Sequence, residues 1–429
     1  MKRGERAVLV SVVVAVALLL RWAFVAQANV VEPLRADAGQ YAQAAQNLVE
    51  HGVYGCERGS PPRPDSFRSP GYPFLIAGCR LLGGADWHPW LLAVQVALGT
   101  LLVPLTYRLA RRWLSFWLSL GAAVLAAVSP HLVVGCTYVL TETLSATLLL
   151  LAFVCFASAT AGRASATWVA GGVAGAAILT NEALLPLAVL ALAMLWRRAG
   201  WRRAVMFAAA CGVLLLPWQI RNRTTELART GGERVVASAS HGSYPGMVFG
   251  PPQSFGFPYR FDPEQPKFGQ SWAGFWPVFT QRFGERPWRH LGWYLLEKPV
   301  WLWSWPILQG SDVYVYEVRN SLYERQPVAA ASLWLSRWLH WPMVALARVG
   351  ALAAWRQRRL QPVAWAIAAT LLSMTAVYAA FLPDPRYLVP LRPLVGITAM
   401  GGVAALLRVW SARRGGAIVA ASGAHSSVG

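Results

Sequence analysis

About ten apolar segments, each close to the ~20 residues that an α-helix needs to cross a bilayer, run along this chain of 429 residues. Hydrophobic residues make up 56% of the sequence and charged residues only 14%, which is too apolar for an ordinary soluble protein of this length. We therefore predict an all-α polytopic membrane protein. The predicted spans lie at residues 7–28, 88–107, 114–130, 141–160, 166–181, 182–196, 204–220, 332–353, 362–382 and 387–408.

A further hydrophobic stretch, from His290 to Leu308, is rich in tryptophan and would be an eleventh span. Its centre carries Glu297-Lys298-Pro299, and charged side chains are costly inside a bilayer. Tryptophan is enriched where the membrane meets water. We therefore expect a helix that lies in the interface, and a total of 10–11 transmembrane helices.

The basic residues indicate how the spans are oriented. A net charge of +20 at pH 7 would suggest nucleic-acid binding in a soluble chain, but the arginines here fall between apolar segments. They cluster at alternate segment ends, as the positive-inside rule describes for cytoplasmic loops. We predict cytoplasmic N- and C-termini and no nucleic-acid partner. The clusters are Lys2/Arg3/Arg6, Arg108/Arg111/Arg112, Arg163, Arg197/Arg198/Arg202/Arg203, Arg356/Arg358/Arg359 and Arg408/Arg413/Arg414.

The first apolar segment has two interpretations. A basic start, an apolar stretch and Ala26-Gln27-Ala28 resemble a cleaved signal peptide. The apolar stretch continues through Trp22–Ala28, beyond a usual signal core, so we favour an uncleaved anchor. Arg21 within this segment is expected either to extend towards the membrane surface or to face a polar cavity.

Two regions break the membrane pattern and are predicted to lie outside. Residues 29–87 form a first external loop that begins as an amphipathic helix, because Asp37, Tyr41, Ala45 and Leu48 share one face at helical spacing. Gly52 is expected to end that helix. A second external region spans 221–331, the membrane domain spans 1–408, and 409–429 is expected to be a disordered cytoplasmic tail.

The five cysteines show neither CxxC pairs nor the spacing of metal ligands. They are interpreted as packing residues. Cys56 and Cys136 are the two that would both face outwards, so a disulfide between them is the alternative.

Four polar residues fall at outer helix ends in this topology. Asp37 and Glu142 are carboxylates that could activate a hydroxyl as general base, and Arg221 and Arg386 could hold a phosphate. Each also has an ordinary structural explanation, since Asp caps helix N-termini and arginine often lies at a membrane boundary. Their joint placement favours a site for a phospholipid-linked substrate.

The order of short motifs resembles the GT-C membrane glycosyltransferases, in particular the protein O-mannosyltransferase and aminoarabinose-transferase-like group. No single motif is specific, but six of them in the same order span residues 1–408. They are Asp37/Tyr41/Ala45/Leu48, Arg68-Ser69-Pro70-Gly71-Tyr72-Pro73, Ser129-Pro130, Thr141-Glu142-Thr143-Leu144, Pro217-Trp218 with Arg221-Asn222, and Arg386-Tyr387-Leu388-Val389-Pro390.

The resemblance implies a GT-C-like helical fold whose first external loop packs amphipathic helices over a substrate cavity. It implies a sugar donor linked to polyprenyl phosphate and a glycan, lipid or protein acceptor. Asp37 takes the position of the catalytic acid residue and Glu142 that of the second acidic position, while Arg386 and Arg221 face the donor phosphate. Candidates for the cavity wall are Tyr41, Arg68, Tyr72 and Tyr387.

The metal site of the aminoarabinose transferases is not matched. Those enzymes carry a metal-binding Glu just before a Lys-Pro pair, where this chain has Arg68-Ser69-Pro70. We therefore expect no certain cofactor, and a divalent metal stays open.

These observations predict a glycosyltransferase of a bacterial inner membrane that works on the extracytoplasmic face. The expected reaction is a single inverting displacement with Asp37 as the catalytic carboxylate, and the sequence has no phosphate loop for a nucleotide. The alternatives are a transporter or flippase, or a non-catalytic membrane subunit that binds a glycolipid. A transporter would favour ionisable groups at the membrane midplane, whereas the acidic residues here lie at helix ends.

Overall fold

A computed structural model describes residues 2–245, 247 and 262–424, and it is helical almost throughout. The helices of the first half are α1 (Arg3–Gln27), α2 (Asp37–His51), α3 (Gly71–Gly83), α4 (Trp87–Ala110), α5 (Phe116–Val128), α6 (Pro130–Val134), α7 (Glu142–Thr160), α8 (Ala164–Thr180), α9 (Leu185–Ala199) and α10 (Trp201–Thr224). Those of the second half are α11 (Gly231–Gly242), α12 (Gln265–Phe268), α13 (Trp272–Glu285), α14 (Pro287–Gly292), α15 (Lys298–Leu302), α16 (Leu322–Arg325), α17 (Pro327–Arg356), α18 (Pro362–Ala380) and α19 (Arg392–Ala424).

All ten predicted spans are helical in the structure. Six helices among the described residues are long and apolar enough to cross a membrane, and the bent pair α5–α6 makes a seventh if it counts as one span. Three further predicted spans correspond to α8, α9 and α17, which have 17, 15 and 30 residues. The prediction of an all-α polytopic membrane protein is confirmed.

The bent helix pair explains the position of Arg21. Pro130 follows the end of α5, so the last carbonyl groups of α5 have no partner within their own helix. Arg21 of α1 is fully buried and donates hydrogen bonds to the carbonyl oxygens of Ala126 and Ala127, both at 2.9 Å. We had expected Arg21 either to extend to the membrane surface or to face a polar cavity. Both expectations are wrong, because Arg21 stabilises the C-terminus of α5.

Helices α17 and α19 pack at very close range. A Cβ atom on Gly350 would meet the carbonyl oxygen of Thr398 at 1.9 Å, and one on Gly402 would meet that of Leu346 at 2.1 Å. Only glycine permits this approach of two backbones, which is a common way for membrane helices to associate.

Outside the bundle, helix α2 has the predicted amphipathic character. Ala38, Tyr41 and Ala45 are buried, and Gly52 ends the helix in the left-handed conformation with φ of 70°. A two-stranded antiparallel ribbon precedes α2: β1 (Asn29–Val30) pairs with β2 (Val318–Arg319). The ribbon joins the start of the first external loop to the end of the second external region.

The tryptophan-rich stretch after residue 290 is not among the helices that qualify as spans. It forms a helix with a π turn at Trp293–Glu297 between α14 and α15. Lys298 is fully buried there, and its Nζ donates to the carbonyl oxygens of Ala379 and Phe381, both at 2.8 Å. Since these carbonyl groups lie at the end of α18, the contact fixes this helix against the chain that leads to Arg386.

Two other expectations concern the cysteines and the C-terminal tail. All five cysteines are free, so Cys56 and Cys136 form no disulfide. Helix α19 extends to Ala424, into the segment 409–429 that was predicted to be the cytoplasmic tail, and residues 425–429 lie outside the described part.

Candidate active site

Asp37 is the centre of a cluster of charged side chains at one end of the bundle. It is the first residue of α2, and the helix cap is Ala36, whose side chain forms no capping hydrogen bond. Both carboxylate oxygens of Asp37 accept from guanidinium groups: Oδ1 from Arg68, and Oδ2 from Nη2 of Arg386 at 3.1 Å. The capping explanation of Asp37 is therefore replaced by a double ion pair.

Arg386 connects the two carboxylates that the sequence singled out. Its Nε donates to Oε1 of Glu142 at 2.5 Å, while Nη2 donates to Asp37. The Arg386 side chain is 8% exposed and the Asp37 side chain 29% exposed. The cluster thus has a buried side, formed by Glu142 and Arg386, and a side open to ligand at Asp37.

Arg68 completes the cluster from the loop before α3. Its Nε donates to Oε1 of Gln40, one turn along α2 from Asp37, at 2.6 Å. Its guanidinium lies 5.3 Å from the centre of the Tyr41 ring, a cation–π distance. Three residues of α2 thus hold Arg68 in place. We had expected Arg68 only in the cavity wall, but it contacts the Asp37 carboxylate itself.

The turn that carries Arg386 is built around Asp384. Asp384 is fully buried; its Oδ1 accepts from the backbone N–H of Arg386 at 2.8 Å and its Oδ2 from that of Gln309 at 3.0 Å. Burial raises the pKa of Asp384 to about 6, against the opposing effect of the Arg386 amide and charge. Through these two hydrogen bonds, Asp384 positions Arg386.

The arginines determine the charge state of Asp37. Burial raises the pKa of the Asp37 carboxyl, but the guanidinium groups of Arg68 and Arg386 outweigh this effect and lower the pKa to about 2. Conversely, although burial lowers the pKa of Arg68, the charge of Asp37 raises it overall. Asp37 and Arg68 are thus both ionised at neutral pH.

Other predicted site residues lie near the cluster or apart from it. Tyr72 is fully buried and its hydroxyl donates to Gln95 Oε1 at 2.9 Å, while its ring packs edge-on against Tyr41. Tyr387 stacks on Tyr378, with ring centres 5.0 Å apart. Tyr72 is therefore a support of the cluster and not a surface that a ligand can touch.

Arg221 is engaged elsewhere. Its guanidinium donates to the backbone carbonyl oxygens of Asp65, at 2.7 Å, and Tyr54, at 2.8 Å, and lies over the Trp218 ring. It forms no hydrogen bond with Asp37, Glu142 or Arg386 in the described part of the chain. The structure therefore does not bring Arg221 into the cluster, and it joins α10 to the first external loop.

Two contributors were not identified from the sequence. Gln40 orients Arg68, and Tyr316, from the second external region, places a buried side chain beside the cluster. The helical spacing of Gln40 with Asp37 was a signal that could have been used. Tyr316 follows no periodic element, so the sequence offers no comparable signal for it.

The residues around Asp37 do not fit a divalent cation. Both oxygens of Asp37 and one oxygen of Glu142 already accept from guanidinium groups, whereas such a cation needs several free oxygen ligands. Within residues 2–245, 247 and 262–424, no group of three or more His, Cys, Asp or Glu is arranged to hold a metal. We therefore derive no step through a metal.

Comparison with known proteins is informative for part of the sequence and for the whole fold. Residues 67–218, about a third of the chain, match the family model described as dolichyl-phosphate-mannose-protein mannosyltransferase. The matched part contains Arg68 and Glu142 but neither Asp37 nor Arg386. No curated protein gives a significant sequence match.

Solved structures with the same fold cover 96% of the chain. ArnT from Cupriavidus metallidurans bound to undecaprenyl phosphate superposes with a TM-score of 0.53 at 17% identity. The oligosaccharyltransferase AglB from Archaeoglobus fulgidus, in complex with an inhibitory peptide and a dolichol-phosphate, gives 0.52 at 12% identity. The chain spans 64% of the ArnT chain and 51% of the AglB chain. The chain therefore shares the GT-C fold of these proteins, and residues 67–218 are similar in sequence to the mannosyltransferase family.

Proposed function

We propose that the protein transfers a sugar from a polyprenyl-phosphate-linked donor to an acceptor hydroxyl on the extracytoplasmic face of a bacterial inner membrane. The observation that carries the proposal is the arrangement of Asp37, with its partly exposed carboxylate, between the guanidinium groups of Arg68 and Arg386. It combines a base for a hydroxyl with cations for a phosphate in one place.

The two arginines can receive a phosphate without losing all their present contacts. Nε donates to Gln40 in Arg68 and to Glu142 in Arg386, and Nη2 of both arginines donates to Asp37. Nη1 of each guanidinium has no hydrogen-bond partner among the described residues. A phosphate that accepts from the two Nη1 groups would lie beside Asp37. As the sugar–phosphate bond breaks, these donors stabilise the charge that develops on the leaving phosphate.

Donor binding would also prepare Asp37 for its role. A carboxylate with a pKa of about 2 is a weak base at neutral pH. The negative charge of a phosphate bound to Arg68 and Arg386 beside Asp37 opposes the effect of the two guanidinium groups and raises this pKa. Asp37 then orients the acceptor hydroxyl and takes its proton while the oxygen attacks the anomeric carbon. This single displacement inverts the configuration at that carbon.

The ligands of the structural relatives support the type of donor. ArnT was solved with undecaprenyl phosphate and AglB with a dolichol-phosphate, and both share this fold. The chain is shorter than either relative, so its acceptor and sugar follow from neither. The proposal requires only that the acceptor offers a hydroxyl, as a glycan, a lipid or a protein does.

The basic clusters support the proposed side of the membrane. Arg198 donates to the carbonyl oxygens of Arg358 and Arg359. Arg203 donates to the carbonyl oxygen of Gly162 and Arg112 to Ser158, both near the end of α7, so these clusters meet at one end of the bundle. Asp37 follows the opposite end of α1. By the positive-inside rule the arginine-rich end is cytoplasmic, which supports an extracytoplasmic site.

The test is native mass spectrometry of the purified protein with a bacterial lipid extract. We expect retention of undecaprenyl phosphate and of a glycosylated form, and release of the bare lipid phosphate when acceptor is added. Arg386→Lys keeps the charge but loses the forked geometry, and should weaken retention about tenfold. Failure of the folded wild-type protein to retain any polyprenyl-phosphate lipid would favour a transporter or a partner subunit.

A further inference from the structure

Arg68, which the proposed function assigns to the donor phosphate, lies on a loop rather than on a helix. Residues 52–70 connect α2 to α3 without regular secondary structure. Loops are generally more mobile than the elements that they connect, whereas a guanidinium that binds a phosphate must be held close to its productive position. Contacts from outside the loop are therefore needed to keep Arg68 in place.

The end of α8 holds the loop on one side. Gly71, at the start of α3, approaches α8 so closely that a Cβ atom on it would meet the backbone nitrogen of Thr180 at 2.8 Å. Glu182 follows the end of α8 and begins the short turn that leads into α9. The hydroxyl of Ser69 donates to Oε2 of Glu182 at 3.0 Å. The residue just after Arg68 is thus fixed to the connection between α8 and α9.

Helix α11 and the chain that leads into it hold the loop on the other side. The N–H of Ser66 donates to the carbonyl oxygen of Arg229 at 2.9 Å. Within α11, Nε of Arg234 donates to the carbonyl oxygen of Phe67 at 3.1 Å. The residue just before Arg68 is thus fixed to α11.

Arg234 and Glu182 also form an ion pair with each other, which joins the two sides. Their side chains are 30% and 46% exposed, and an ion pair as exposed as this contributes little to stability. Its position is more informative, because one member holds the residue before Arg68 and the other holds the residue after it. The pair therefore closes a frame of contacts around the loop.

We propose that the ion pair of Arg234 with Glu182 positions Arg68 for the donor phosphate. By fixing the chain on both sides of Arg68, the pair keeps the guanidinium beside Asp37 before the lipid binds, so that less of the loop must be ordered on binding. Arg234 and Glu182 are positioning residues, and they act on the phosphate only through Arg68. The inference rests on the proposed function.

The experiment measures the affinity of the purified protein for undecaprenyl phosphate by native mass spectrometry. Arg234→Gln and Glu182→Gln each remove the ion pair, and each variant is first shown to be folded. Arg289→Gln is the matched control. Arg289 likewise donates to a carboxylate, that of Glu297, and to a backbone carbonyl oxygen, and its ion pair is similarly exposed.

We expect Arg234→Gln and Glu182→Gln each to weaken binding about fivefold, because ordering of the loop then opposes binding. Arg289→Gln should leave the affinity unchanged. Arg234→Lys keeps the charge and the donors, so it should recover most of the affinity, which a general loss of packing would not predict. No loss in Arg234→Gln and Glu182→Gln, or an affinity of Arg234→Lys no better than that of Arg234→Gln, would overturn the proposal.

The same change in Arg68→Gln protein distinguishes positioning from direct contact. If Arg234 acts only through Arg68, adding Arg234→Gln to Arg68→Gln causes no further loss of affinity. A further loss of similar size would show that Arg234 binds the phosphate itself, and would overturn the positioning role while the transferase proposal stands. If Arg68→Gln alone leaves binding unchanged, or if wild-type protein retains no polyprenyl-phosphate lipid, the proposed function fails, and this inference with it.

Discussion

Replacement of Asp37 by asparagine should destabilise the protein at neutral pH, and the loss should vanish in acid. The change is nearly isosteric, but it removes the negative charge between Arg68 and Arg386. A pKa lowered from 3.8 to about 2 corresponds to about 2.4 kcal/mol at 1.36 kcal/mol per pKa unit. Because the Asp37 side chain is 29% exposed, water screens part of this energy. We expect a loss of about 2 kcal/mol in the free energy of unfolding.

The direction of the Asp37 pKa shift determines how the stability of the protein changes with pH. Since the pKa of Asp37 is lower in the folded than in the unfolded state, its contribution is complete above about pH 4. It is lost as the pH falls towards 2, where wild-type Asp37 becomes neutral like asparagine. The gap in stability between wild type and Asp37→Asn should therefore close between pH 4 and pH 2.

The assay is unfolding in mixed detergent micelles, followed by tryptophan fluorescence at several pH values. Glu50→Gln is the control, because Glu50 lies exposed on the same helix and bonds only to the side chain of Gln46 among the described residues. It should have no effect at any of these pH values. Equal stability of Asp37→Asn and wild type at pH 7, or a gap that persists to pH 2, would refute the electrostatic account.

Three further predictions concern the surroundings of the site. Arg386→Gln should lower the free energy of unfolding by about 3–5 kcal/mol, because Glu142 is left as an uncompensated buried charge. Adding Glu142→Gln should recover most of this loss in the same unfolding assay. A double variant no more stable than Arg386→Gln alone would contradict this. Lys298→Met should cost about 1–3 kcal/mol since two carbonyl groups at the end of α18 lose their donor, whereas Lys267→Met, at a side chain 79% exposed, should be neutral. Equal effects of the two lysine variants would show that the capping contact adds nothing. Alkylation of the unfolded, unreduced protein should modify all five cysteines, and a mass that indicates only three modified thiols would reveal a disulfide that the structure lacks.

The spans were predictable from the sequence because hydropathy is a local property. Each of the ten apolar segments is helical, and the helix Asp37–His51, which Gly52 ends, has the bounds that its spacing and this glycine indicate. The contact of Asp37 with Arg386, which are 349 residues apart, agrees with the predicted topology, which places both residues at helix ends on the same side of the membrane.

Other features depend on contacts that no local pattern encodes. Arg21 was misjudged because its partner is the broken end of α5, 105 residues further along the chain. Arg221 lies at the expected helix end, yet it is committed to the carbonyl groups of Tyr54 and Asp65. Tyr316 reaches the cluster only through a two-residue ribbon, which is too short to leave a periodic signal.

The most direct test of the central claim is the rate of sugar transfer by Asp37→Asn. Wild-type and variant protein, both shown to be folded, are loaded with the glycosylated polyprenyl phosphate that the wild type retains, and a single turnover to acceptor is followed. The account predicts that the variant keeps the donor lipid but transfers no sugar. Transfer at the wild-type rate by folded Asp37→Asn would contradict it.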